Sequence, residues 1–229
     1  MQIKKIGIHA AYAFVLSLAL AVTAQAQLGS LLGGGGGGNY KEIAEEFLAT
    51  KGQIVAELQA QKMIEADISE ALDLQSEAEA LRLEAQKLEE FGDAISGDEL
   101  EAIKENSATT NAKIIEKLES SEDITDGQKE QLGQAAVQYL PSVIRGVQAA
   151  KQMRNIVSNA SQLGTPGMRD LMGLGSIKRA ITEIPSVGPD LVGFISNSFT
   201  FGRDMVRLMN TNGIASVDTG EIDDTEFDI

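Results

Sequence analysis

Residues 71–88 read A-L-D-L-Q-S-E-A-E-A-L-R-L-E-A-Q-K-L. Ala71, Leu74, Ala78, Leu81, Ala85 and Leu88 follow one another at alternating spacings of three and four. That period places six side chains in one narrow stripe along a helix. Alanine at one heptad position and leucine at the other lets a neighbouring backbone come close, so the seam predicts a partner helix, antiparallel and from the same chain. Glu70, Glu77 and Glu84 recur once per heptad and edge the seam with negative charge. The fold expected from this stretch is all-α, an elongated bundle of four to five helices with one long N-terminal coiled-coil-like helix.

Composition agrees with that expectation. The 229 residues include no Cys and no Trp, and aromatic residues make up only 4%, while Ala, Leu, Glu and Gln are abundant. Such a mixture favours helix over sheet. A net charge of −15 argues against nucleic acid as a partner, because neutralising phosphates needs clustered Lys and Arg.

Towards the N-terminus, the pattern predicts one helix over 40–91, ended by Gly92. Its apolar face runs Ile43, Phe47, Ile54, Leu58 and then shifts to Ile64 and Ile68, so a bend is expected near Gly52. Residues 27–39, with Leu28, Leu31, Leu32 and six glycines at 33–38, read as a flexible tether of about 20 Å reach. Residues 1–26 have the build of a signal peptide: Lys4 and Lys5, an apolar run over 10–22, and Ala24-Gln25-Ala26 before the cut. Cleavage between Ala26 and Gln27 is expected, with export to a bacterial periplasm or beyond. Removing Lys4 and Lys5 from the 19 bases leaves 17 against 34 acids, a mature charge of −17.

Towards the C-terminus, Ser96 and Glu99 form a capping box that opens a helix over 98–120, with Leu100, Ile103, Ile114 and Leu118 on one face. Ser107 and Asn111 fall on that same face and read as partly exposed. Thr125 and Gln128 form a second box before a helix over 126–163, in which Pro141 predicts a kink and Gly146 with Ala150 a close helix crossing. Leu163-Gly164-Thr165-Pro166 reads as a tight turn into a helix over 166–184. Pro185 is expected to stop that helix and Pro189 to start a fifth, over 189–211, with Val192, Ile195, Phe199, Val206 and Met209 at helical spacing. The bundle is thus expected over 40–212, followed by an acidic tail over 213–229 with six carboxylates and no base. Residues 40–126 carry 8 bases against 23 acids, and 127–160 carry 4 against 1. Lys129, Arg145, Lys151 and Arg154 are therefore expected beside the edge made by Glu70, Glu77 and Glu84.

Several chemistries are missing. The only His precedes the cleavage site and there is no Cys, which removes the commonest general base, thiol nucleophiles and the usual zinc ligands. Neither the Glu-x-x-His pairs of di-iron bundles nor a Ser-x-x-Lys dyad occurs. Asp218-Thr219-Gly220 matches the aspartic-protease tripeptide but lies in the acidic tail. Asp223, Asp224, Glu226 and Asp228 lack EF-hand spacing, and no Lys-Ser/Thr follows the polyglycine as a phosphate loop requires. No catalytic, cofactor-binding or metal-binding residue is assigned. Phe194, Phe199 and Phe201 gather half of the mature chain's phenylalanines; they read as the core of a helix, and otherwise as a candidate interaction surface. The function expected is that of an exported, non-catalytic helical binding or scaffold protein acting on another protein. The alternatives are a membrane-active, pore-forming-like protein and a carrier of an apolar ligand between helices.

Overall fold

The structure, a computed structural model, describes residues 36–120, 124–163 and 177–214. Five helices occupy them: α1 (Gly36–Ala71), α2 (Gln75–Phe91), α3 (Gly97–Glu119), α4 (Asp126–Leu163) and α5 (Ile177–Thr211). A single 3₁₀ turn, Gly92–Ala94, joins α2 to α3, and the described residues contain no strand. The protein is an all-α bundle. The predicted signal peptide, residues 27–35 of the tether, the turn and helix start over 164–176, and the tail from 215 lie outside the described residues. Helix α1 begins at Gly36, inside the stretch read as a tether.

The seam over 71–88 does bury itself on a helix of its own chain, by a different route from the one the pattern implies. The expected helix over 40–91 is two helices, folded back on each other at Leu72-Asp73-Leu74. The Asp73 amide donates to the Glu70 carbonyl at 3.1 Å and the Leu74 amide to the Ser69 carbonyl at 2.8 Å, with Asp73 at φ 61°. These are the two bonds of a Schellman turn, with Asp where glycine is usual. Ala78, Leu81, Ala85 and Leu88 are thereby buried against α1. The pairing is antiparallel, since Arg82 reaches Glu70 and Asp67 near the turn, while a Cβ on Gly52 would lie 4.0 Å from Asp93 at the far end. No break occurs near Gly52. Lys51 continues the inner face there, fully buried and bonded to Glu183 at 2.8 Å.

Both capping boxes form. The Ser96 amide donates to Glu99 Oε2 at 2.7 Å, and the Thr125 amide to Gln128 Oε1 at 2.9 Å. The second proline-based expectation fails: α5 runs unbroken through Pro185 and Pro189. Each ring removes one helical hydrogen bond, but both prolines, like Pro141 in α4, lie on the solvent side, where water can satisfy the freed carbonyl. Ala180, Ile184, Val187 and Leu191 keep the opposite side of the same helix buried.

Successive helices alternate in direction. Helix α1 packs against α2, α4 and α5, whereas α3 leans on α5 and touches α2 lightly. Gly146 provides the close crossing expected of it, since a Cβ there would come within 3.0 Å of Ile195 on α5. The acidic edge finds other cations than those anticipated. Glu70 pairs with Arg82 and Glu77 with Lys113, while Arg145 binds Glu57 with two hydrogen bonds, 2.7 and 3.0 Å long.

Candidate functional site

Helix α1 has no single apolar face because it is packed on three sides, and six of its buried side chains are polar: Thr50, Lys51, Gln61, Lys62, Glu65 and Ser69. Lys62 and Glu65, one turn apart and both fully buried, form an ion pair. The other oxygen of Glu65 accepts the Tyr139 hydroxyl from α4 at 2.9 Å, and that hydroxyl also lies 3.3 Å from the Ser198 carbonyl of α5. The Lys62 ammonium sits 5.6 Å from the centre of the Phe194 ring of α5. From α2, Glu84 accepts the Ser107 hydroxyl of α3 at 2.9 Å, and its carboxylate feels the Lys62 charge. One polar cluster thus touches all five helices.

Electrostatics follow from this burial. Removal from water pushes the Glu84 carboxyl above its ordinary range, against the pull of Lys62 and the Ser107 hydrogen bond. Burial, helped by the Glu65 charge, raises the Tyr139 phenol well above its ordinary value. Tyr139 therefore keeps its proton and Lys62 is held in an ion pair, so neither is prepared as a base or nucleophile. Among the described residues no three His, Cys, Asp or Glu side chains converge.

Over the cluster, between α3 and α5, runs a groove of about 580 Å³. Ser107, Phe194 and Ser198 belong to both the cluster and the groove wall; Asn111, Ile115 and Phe201 extend it, and Glu116, Glu119 and Asp204 stand at one end. The Asn111 Oδ1 is buried in that wall with no donor.

No protein-family model, no curated protein and no solved structure matches this chain.

The three phenylalanines singled out in the sequence are all inside. Phe194 is 2% exposed and Phe199 and Phe201 are each 7% exposed. All three belong to the core cluster, and Phe194 and Phe201 also line the groove, whereas Phe199 does not. Ser107 is buried rather than partly exposed, because its hydroxyl has a buried carboxylate to meet. Glu84, expected on the charged edge of the seam, is instead buried, and Lys62, Glu65 and Tyr139 are not singled out by the sequence pattern. A signal for Lys62 and Glu65 exists: Lys51, Ile54, Leu58, Lys62, Glu65, Ser69 and Leu72 continue one three-and-four spacing, so the charges share the apolar stripe.

Proposed function

We propose that this protein is an exported, non-catalytic binding protein acting through another protein, and that the α3–α5 groove receives an amphipathic helix of that partner. The observation that supports this most is the make-up of the groove. Phe194 and Phe201 give it an apolar floor, and Ala108 and Ala112, one turn apart on α3, keep its wall low enough for a third helix to approach. With Glu116, Glu119 and Asp204 at one end and a net charge of −15, the complementary helix carries apolar anchors flanked by Lys or Arg. Export is read from residues 1–26 and is checked by the intact mass of the secreted chain, which should begin at Gln27.

The ligand-carrier alternative draws on the groove volume, which falls in the range of about 300–1,000 Å³ typical of small-molecule sites. A membrane-active role draws nothing from α5, whose phenylalanines turn into the bundle, and no helix among the described residues is long and apolar enough to cross a membrane. A photo-crosslinking side chain at Ala112, with a control at the exposed Glu130 of α4, separates these readings. The expected result is capture at position 112 alone of a segment that is amphipathic and basic, abolished when Ala108→Trp in the same chain fills the groove one turn away. Equal capture at both positions, or capture of lipid or small molecules at position 112, would overturn the reading.

A further inference from the structure

The buried cluster has an unbalanced charge count. Glu65 and Glu84 are two carboxylates beside a single buried ammonium, Lys62, and Lys62 is bonded to Glu65. Glu84, 4% exposed, is left with the Ser107 hydroxyl as its hydrogen-bond donor. An ionised Glu84 would therefore be a negative charge without an ion-pair partner of its own, out of water. Water can reach it by parting α2 from α3, which touch only lightly. Two polar links hold that contact among the described residues, the buried Ser107–Glu84 bond and the Lys113–Glu77 pair nearer the surface.

We propose that Glu84 is a proton-operated latch on the α3–α5 groove: protonated, it holds α3 closed over the cluster, and on losing its proton it lets α3 lift and the groove widen. As regulation of a binding site the latch rests on the function proposed above; as a motion of α3 it stands on the cluster alone. The charged and titratable groups facing Glu84 are Lys62 and Glu65 from α1 and Lys87 on its own helix. From α3 the contact is the Ser107 hydroxyl, and Tyr139 of α4 reaches the cluster through Glu65. The net effect of these neighbours and of burial is a Glu84 that holds its proton above the ordinary value of 4.5. A carboxyl raised in the closed state stabilises that state fully below 4.5, and the contribution is lost as pH rises through the raised value. The latch therefore opens towards neutral and alkaline pH.

Native-state hydrogen exchange on the full chain without any partner, at pH 5 and pH 8 and corrected for intrinsic amide chemistry, tests the latch. Amides over 104–115 in α3 should lose protection by on the order of tenfold relative to those of α4. In Glu84→Gln, which keeps an oxygen for Ser107 but cannot ionise, the α3-to-α4 ratio should be the same at both values. Parallel changes in α3 and α4 of the wild type, or an unaltered pH response in Glu84→Gln, would overturn the proposal. Should that variant fail to fold, the wild-type ratio decides. Because no partner enters, a negative result here leaves the groove reading intact, and failed crosslinking at Ala112 leaves the latch intact.

Discussion

The Tyr139 hydroxyl lies 2.9 Å from Glu65 Oε1 and ties α4 to α1 at the level where all five helices meet. The ring is held on both sides. Phe201 meets it edge-on, with centroids 6.0 Å apart and planes at 85°. Gly202 lets α5 press against it, since a Cβ there would stand 2.6 Å from the ring. Buried ion pairs do little for net stability against an apolar alternative, but breaking one is costly. The cluster is accordingly better understood as fixing which helix faces which than as a source of stability.

Tyr139→Phe keeps the ring packing and removes the donor, so Glu65 loses a hydrogen bond where no water replaces it at once. The expected loss is about 1–3 kcal/mol, measured by chemical denaturation. A variant as stable as the wild type would show that Glu65 takes its proton donor from elsewhere.

Ala78 has no exposed surface and lies on the α2 face packed against α1. Ala78→Leu should overpack that contact and cost on the order of 1–3 kcal/mol. Leu83, five residues on and 59% exposed, is the control, and Leu83→Lys should leave the melt unchanged. Equal shifts for the two would put the seam on the wrong face of α2.

The hairpin turn makes its own prediction. At φ 61°, Asp73 occupies the left-handed region, which costs ordinary L-residues roughly 1–2 kcal/mol and β-branched ones most. Asp73→Val should lower the melting temperature clearly. Asp73→Gly should fall close to wild type, relieving the backbone while giving up the 3.0 Å bond from Gln128. If valine and glycine behave alike, the turn is not the strained element between α1 and α2.

That turn also shows where the sequence stops being readable. Capping boxes announced α3 and α4 correctly because Ser96–Glu99 and Thr125–Gln128 act over three residues. The hairpin was hidden because Ala71 and Leu74 stay in phase with the α2 seam straight through the reversal, and no Gly or Pro marks it. Pro185 and Pro189 misled in the opposite sense, since a proline on a solvent-facing turn of a well-anchored helix loses little. The cluster was half legible. Lys62 and Glu65 lie at three-and-four spacing with the buried apolar residues of α1, but Tyr139 is 74 positions from Glu65, and Ser198 is 59 from Tyr139. Only the three-dimensional packing brings those together.

The prediction that bears most directly on function concerns Phe199. It is 7% exposed and packs in the core with Ile195 and Met205 as fellow members of α5. Phe199→Ala should therefore destabilise the protein by about 3–5 kcal/mol, the range for a buried phenylalanine. The wild type should leave liposomes intact, because the phenylalanines of α5 are turned inward. Were Phe199 instead part of a membrane-inserting surface, Phe199→Ala would melt near wild type while losing leakage. The two outcomes exclude each other, and thermal melts with liposome release on two proteins measure both. Phe201→Ala extends the test to the groove. This ring is core on one side and groove floor on the other, so its loss should lower the melt and weaken crosslinking at Ala112 together, whereas Phe199→Ala at a temperature where it remains folded should leave crosslinking unchanged.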